Sequence, residues 1–271
     1  MRGRDTFSGM NALLQRAVSA PAAFLFPAVC PCCDRGVGPV SPHACDACFS
    51  ALESAQLLEQ SSEQARRCRR CFQILERPLV EQDHGDVGNP VTLRCSYCRS
   101  RQVFFDRHRS LLPMQGGWRE VVHRWKFEND RRLWRLLWAI CNASPVLAEL
   151  RAGAIDRIVW IDSGSAGRRT RNYQPCKDIA RALAQTLAVS CGPDLRKRSQ
   201  KTQSAQSYAD RFFMIHDSLE FRGPPGPGNW LLLEDVFTTG ATANEAARIL
   251  KKNGALQVFV LSLFLRDGSG G

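Results

Sequence analysis

Leu231-Leu232-Leu233-Glu234-Asp235-Val236-Phe237-Thr238-Thr239-Gly240-Ala241-Thr242 is the stretch on which the reading of this chain turns. Trp230 to Leu233 is a short, unbroken apolar run, as in a strand covered on both faces of a parallel sheet. Two acids follow, at the strand end, which is the rim where open α/β sheets bind their ligands. Thr238, Thr239, Gly240 and Thr242 form a loop running into a helical pattern over Thr242 to Asn253, closed by Gly254 as a C-cap residue. The first turn of a helix offers backbone N–H groups and the positive end of a dipole, and hydroxyls add donors, so this turn is an anion site. Gly240 permits close approach of backbone to a phosphate. Carboxylates that accept from sugar hydroxyls, beside amides that hold a phosphate, suit a phosphorylated sugar. A strand that merely ends in a capping aspartate accounts for one acid; it does not account for Glu-Asp followed by Thr-Thr-Gly-x-Thr.

Outward from this stretch the pattern alternates. Gln257 to Leu265 reads as a strand, which completes a strand–helix–strand unit and implies a parallel sheet. Ile155 to Ile161 reads as a second buried strand, Asp178 to Leu187 as a helix, and Gly223 to Gly228 as a loop. Trp118 to Cys141 reads as one long helical stretch, with Val121, Val122, Trp125, Leu133, Leu136, Leu137 and Ile140 on its apolar positions. The expected class is therefore α/β, a parallel sheet flanked by helices over residues 104–271. Residues 1–103 read as an N-terminal helix followed by a cysteine-rich module. In that part Leu13, Leu14, Val18 and Ala22 recur at helical spacing, Phe49 to Glu63 carries a second helical pattern, and Glu81 to Pro90 is a polar loop.

The chain has 12 cysteines, and eight of them form four C-x-x-C pairs: Cys30/Cys33, Cys45/Cys48, Cys68/Cys71 and Cys95/Cys98. Two thiols at that spacing grip one metal ion from a tight turn, and four sulfurs favour Zn²⁺. Sequential pairing gives Cys30, Cys33, Cys45, Cys48 as one set and Cys68, Cys71, Cys95, Cys98 as another; interleaved pairing is equally compatible with the spacing. Cys32 could replace Cys33, and His43 could replace a thiol. Cys141, Cys176 and Cys191 stand alone. Metal-binding thiolates point to a reducing compartment, so a cytoplasmic protein is expected. No window approaches the ~18 uninterrupted apolar residues of a membrane-spanning helix. The nearest, Pro21 to Cys30, carries two prolines and reads as a buried entry segment, not a secretion signal.

The 271 residues are 44% hydrophobic and 23% charged, which excludes wholesale disorder. The net charge is +11, and Pro224 to Gly271 is charge-balanced, so the excess lies before it. It gathers at Arg66 to Arg70, Arg99 to Arg109, Arg119 to Arg135, Arg168 to Arg171 and Arg196 to Lys201. Such clusters attract phosphate-bearing partners, or are simply solvated. Phe72, Tyr97, Phe104 and Phe105 are interleaved with the arginines around the second cysteine set, a composition that single-stranded nucleic acid binding uses.

The Leu231–Thr242 stretch resembles the phosphoribosyl-pyrophosphate (PRPP) motif of type I phosphoribosyltransferases, and behind a multi-cysteine region the whole chain resembles the ComF family of competence and DNA-utilisation proteins. Phe26-Pro27-Ala28-Val29-Cys30-Pro31-Cys32-Cys33 is similar to that family's opening knuckle, and His123-Arg124-Trp125-Lys126-Phe127 to its His-x-x-Lys-aromatic segment. Arg169-Thr170-Arg171-Asn172-Tyr173-Gln174 stands where the family has Arg-x-Arg-Gly-aromatic-Asn-Gln, and Lys201 to Arg211 where it has Thr-x-x-Gln followed by Ser and Arg.

The resemblance implies a type I phosphoribosyltransferase-like fold, with PRPP or a related phosphoribosyl group as ligand and Mg²⁺ neutralising the diphosphate. On that reading Glu234 and Asp235 hold ribose, Val236 to Thr242 hold the 5′-phosphate, and Ser163, Gly164, Arg169 and Arg171 face the diphosphate. Lys126 contacts phosphate and stands with Glu234 and Asp235 as a catalytic group. Two departures accompany it. The family's strand ending in Pro-Val-Pro reads here Trp160-Ile161-Asp162-Ser163-Gly164-Ser165, which puts a carboxylate into the diphosphate loop. Asn172 replaces Gly, and Gln174-Pro175 replace Asn-Gln. Phosphoribosyl transfer, non-catalytic binding of single-stranded DNA, and PRPP sensing are the three functions this pattern admits.

Overall fold

The computed structural model describes residues 29–30, 32–37, 45, 47–48, 67–75, 95–115, 117–127, 133–162, 175–198 and 218–266. The helices expected over 1–26 and 49–63, and the loop 81–90, lie outside them. The chain divides into two compact units, Met1–Glu53 and Ser54–Gly271. The second cysteine set therefore shares a unit with the sheet, whereas the sequence reading places the join after residue 103.

In the larger unit, six strands form one sheet: β1 Arg107–Pro113, β2 Arg157–Asp162, β3 Ser190–Lys197, β4 Leu219–Phe221, β5 Gly228–Phe237 and β6 Ala255–Leu265, in the order β1-β6-β5-β2-β3-β4. All neighbours are parallel except β3 and β4, whose antiparallel pairing closes one edge. The helices are α1 Ser96–Ser100, α2 Gly117–Phe127, α3 Leu133–Ala143, α4 Pro145–Ala152, α5 Pro175–Leu187 and α6 Ala241–Lys252. The expected α/β class, a parallel sheet flanked by helices and accompanied by cysteine-rich segments, is what the structure shows.

β5 forms at the centre because it can be covered on both faces. Leu231, Leu232 and Leu233 are essentially inaccessible, and each such burial stabilises by about 1.5–3 kcal/mol. The strand runs to Phe237, beyond the Leu233 end read from the sequence, because pairing with β6 continues through Glu234↔Ser262, Val236↔Phe264 and Phe237↔Leu265. α6 packs its Ala243, Ala246, Ala247 and Leu250 away from solvent, and Gly254 ends it at φ +107°. A Cβ on Gly254 would lie 2.4 Å from the Gly226 carbonyl oxygen, so the turn needs glycine for space as well as for conformation.

Within the helical stretch expected over Trp118–Cys141, α2 and α3 are helical, and residues 128–132 lie outside the described residues. β1, β3 and β4 were not anticipated.

Candidate functional site

The strand order places a crevice. From β2 the chain moves toward β3, on one side; from β5 it moves toward β6, on the other. The sheet's topological switch point therefore lies between β2 and β5, and ligands of open α/β sheets bind outside the carboxyl ends of strands at such a point. Pairing between the two strands stops at Trp160↔Leu233. Beyond it β5 has no pairing with β2, and Glu234 and Asp235, both half-buried, occupy the end of β5. The Asp235 carboxylate accepts from the Val236 N–H at 2.7 Å. Asp162, 8% exposed, ends β2.

The turn from Thr238 to Thr242 follows. Gly240 caps α6 with φ +73°, and a Cβ there would fall 2.4 Å from Cζ of Phe237. Both the left-handed backbone and the space demand glycine. The Asn244 N–H donates to the Gly240 carbonyl at 2.8 Å, closing the first helical bond, and the Ala241 N–H reaches Thr239 Oγ1 at 3.3 Å. Thr238 is exposed and Thr239 and Thr242 are half-buried, so the hydroxyl-bearing turn is open to a ligand.

Beneath the turn, Phe237 is buried against two rings. His108 stacks on it at 3.8 Å and Phe105 meets it edge-on at 6.0 Å. His108 is completely enclosed, with Nδ1 2.7 Å from the Cys71 carbonyl and Nε2 2.8 Å from Ser262 Oγ. Burial pushes its pKa down to about 3, so the ring is neutral. A carbonyl only accepts; Nδ1 therefore carries the hydrogen and Nε2 accepts from the Ser262 hydroxyl. Sequence reasoning missed His108, Gln73 and Asn244, all of which bond to the Thr238–Thr242 turn or its supports. No spacing marks any of them; only the tertiary fold brings them in.

The structure gathers the cysteines in sequential order, Cys30, Cys33, Cys45, Cys48 and Cys68, Cys71, Cys95, Cys98, with the ligand atoms of each set within 4.8 Å of one another. Sγ–Sγ separations of 3.5 Å for Cys33/Cys45 and Cys71/Cys95 are far beyond a disulfide bond. They approach the ~3.8 Å edge of a sulfur tetrahedron about 2.3 Å from a central zinc. Electrostatics favour the same fit. Hydrogen bonds from Cys71, Cys95 and Cys98 hold the Cys68 thiol well below its usual range, while hydrogen bonding to Cys68, then to Cys95 and Cys98, pushes Cys71 up. Four thiolates so close need a cation among them. In the first set Cys30 falls to about 6: burial opposes this, but backbone N–H groups of Cys45, Cys32 and Cys33 outweigh it. Cys32, pushed up to about 12 by burial, stays outside the set. Both sets could hold zinc.

Part of the basic patch is structural. Arg70 donates to the Phe105 and Val103 carbonyls at 2.9 and 2.6 Å, and Arg67, 4% exposed, donates to Phe72 at 3.0 Å. Phe105 is fully buried and available to no base. Arg69, Arg99 and Arg101 are exposed, and Arg101 lies over the Tyr97 ring at 4.8 Å. Lys126 lies on α2; Ser163, Gly164, Arg169 and Arg171 fall outside the described residues. No described helix is long and apolar enough to cross a membrane.

No family model matches the chain. The competence protein ComFC of Streptococcus pneumoniae is 22% identical over 217 residues, spanning 79% of this chain and 94% of that protein. The chain is similar to the ComF type over most of its length. Among solved structures, adenine phosphoribosyltransferase of Saccharomyces cerevisiae is 20% identical with a TM-score of 0.32, covering 51% of this chain and 72% of that one. Hypoxanthine phosphoribosyltransferase of Staphylococcus aureus is 14% identical with a TM-score of 0.33, covering 49% and 64%.

Proposed function

We propose that the crevice between the ends of β2 and β5 binds PRPP. Ribose hydroxyls would lie against Glu234 and Asp235, and the 5′-phosphate on the turn from Val236 to Thr242. The diphosphate would point toward Ser163, Gly164, Arg169 and Arg171. The observation that carries this reading is the coincidence at one switch point of two half-buried acids with a turn whose glycine is required by both φ and space. Mg²⁺ fits the same reading, since it bridges phosphate oxygens while keeping waters, and would offset the charge of the diphosphate and of Asp162.

Such a site suits phosphoribosyl transfer, in which fixed charge stabilises an electron-poor ribose and a departing diphosphate. Glu234, Asp235 and Lys126 are the groups we assign to it. Asp162 adds like charge beside the departing group, so we place binding ahead of turnover. We assign Zn²⁺ to the two cysteine sets, the cytoplasm as location, and DNA uptake or use as the setting, the last from the similarity to a competence protein.

Titration calorimetry with Mg-PRPP tests the site. Wild type binds, and Asp235→Asn binds at least ~10-fold more weakly, the cost of one charge-assisted contact. Absence of heat from wild type sinks the reading.

A second reading rests on the Arg101–Tyr97 pair with Arg69 and Arg99 exposed nearby: single-stranded DNA held by phosphate contacts and ring stacking. It requires affinity that falls steeply with salt.

A further inference from the structure

We infer that Gln73 and Asn244 are positioning residues of the phosphate turn, and that through them the second cysteine set governs how well the turn holds phosphate. The inference rests on the PRPP reading above.

The turn is gripped from two sides by two different chain segments. On one side, Gln73 Nε2 donates to the Thr238 carbonyl at 2.8 Å and to the Arg266 carbonyl at 3.2 Å. A peptide group is planar, and its C=O and N–H point in opposite directions. Fixing the Thr238 carbonyl therefore aims the Thr239 N–H. The next plane back is fixed as well: the Arg266 N–H donates to the Phe237 carbonyl at 2.9 Å, which aims the Thr238 N–H. Gln73 thus ties together the strand end and the residue that orients it. On the other side, Asn244 lies in the first turn of α6. Its Oδ1 accepts from the Phe104 N–H at 2.6 Å, and its Nδ2 donates to the Gln102 carbonyl at 3.0 Å.

Gln73 belongs to the segment carrying Cys68 and Cys71; Gln102 and Phe104 follow the segment carrying Cys95 and Cys98. The thiols are what gather these segments, with Arg70 as a second tie through the Val103 and Phe105 carbonyls. The Cys71 carbonyl in turn holds His108, whose ring supports Phe237 under Gly240. A metal ion on Cys68, Cys71, Cys95 and Cys98 would lock both grips at once. Without it the two segments separate, and the turn's amides lose their common aim.

The test uses the full chain as purified with zinc, and Mg-PRPP as probe. Gln73→Ala, with zinc content unchanged and the melting temperature moved by no more than a few degrees, weakens PRPP binding about tenfold, the effect of two lost hydrogen bonds. Gln73→Lys, which restores a donor to the same carbonyls, recovers most of it. Stripping zinc from wild type with a chelator weakens binding further and speeds amide exchange in peptides spanning 231–244. Stripping Gln73→Ala adds less than it does in wild type, as expected of coupled groups. Equal PRPP affinity for wild type and Gln73→Ala overturns the inference, as does equal affinity with and without zinc. If zinc-loaded wild type binds no PRPP, the site reading fails, and exchange over 231–244 still decides the clamp: unchanged protection on Gln73→Ala and on stripping would refute it.

Discussion

The two cysteine knuckles are built to one plan and differ in what their equivalent side chains reach. In each, the first cysteine's N–H is bonded by the residue five positions on: Cys30 N–H donates to Arg35 at 2.7 Å, and Cys68 N–H to Gln73 at 2.8 Å. In each, the residue after the second cysteine adopts a left-handed backbone, Asp34 at φ 57° and Phe72 at φ 64°. The flanks pair in matching antiparallel bridges, Val29↔Gly36 and Arg67↔Ile74. The difference lies in the side chains at equivalent positions. Arg35 is exposed, while Gln73 bonds to the Thr238 and Arg266 carbonyls at the end of β5 and after β6. The same cysteine turn thus recurs in both places, and what it reaches depends on one or two residues that no motif marks.

The strongest way to break this contrast is to remove a ligand from each. Cys71→Ser should lower the melting temperature of the sheet unit by about 10 °C or more, because the free energy of metal binding is folding free energy and the knuckle packs into the main core. It should also abolish detectable Mg-PRPP binding. Cys33→Ser, in the other compact unit, should leave the main unfolding transition and PRPP affinity within twofold of wild type. Calorimetric scans of the two variants check this, and equal losses would dissolve the distinction.

Acid separates the second knuckle by another route. His108 is buried neutral, with a folded pKa of about 3 against an ordinary 6.5. The unfolded chain takes up the proton first as pH falls. The stability that neutral His108 contributes is thus fully present above 6.5 and lost progressively down to about 3, by up to about 1.4 kcal/mol per unit. His108→Gln keeps a donor and an acceptor but does not titrate. Its stability should fall less steeply than wild type between pH 6.5 and 4 in denaturant titrations; parallel slopes would mean the histidine is not what acid attacks.

Of this arrangement, the central strand, its acids, the turn and α6 were legible in the sequence because local chemistry dictates each: an unbroken Leu run, paired acids, and a glycine between threonines and a helix. The unread strands lack such signals. β1 carries Arg107-His108-Arg109-Ser110 before its leucines, and β3 contains Gly192-Pro193-Asp194, which reads as a turn. Both exist because a neighbour offers an edge, β6 to the first and β2 to the second. The supports of the site were illegible for a related reason. Gln73 acts on Thr238 and Phe104 on Asn244 across more than a hundred residues of chain, and no local pattern encodes such partners.

Gly240 offers a smaller and more local perturbation than either knuckle. Gly240→Ala must adopt a left-handed backbone at about 1–2 kcal/mol and displace the Phe237 ring from its stack on His108. A roughly tenfold or greater loss of PRPP affinity should accompany that destabilisation. Loss of stability with affinity intact would show that the turn tolerates what its geometry forbids.

The finest discrimination comes from the two left-handed residues themselves. Asp34 is exposed, and aspartate enters that region at little cost, so Asp34→Gly should change stability by no more than about 0.5 kcal/mol. For Phe72 the same substitution relieves the backbone more, since a bulky residue is strained there. The ring, however, is held between the guanidinium groups of Arg67 and Arg109, 4.9 and 5.2 Å from its centroid, with His108 edge-on at 6.4 Å. Each cation–π contact is worth about 0.5–1 kcal/mol, and the half-buried ring adds its own apolar area. The two effects oppose, and packing should win, so Phe72→Gly should destabilise the protein by about 1–2 kcal/mol in chemical unfolding. A neutral or stabilising result would place the strain above the packing.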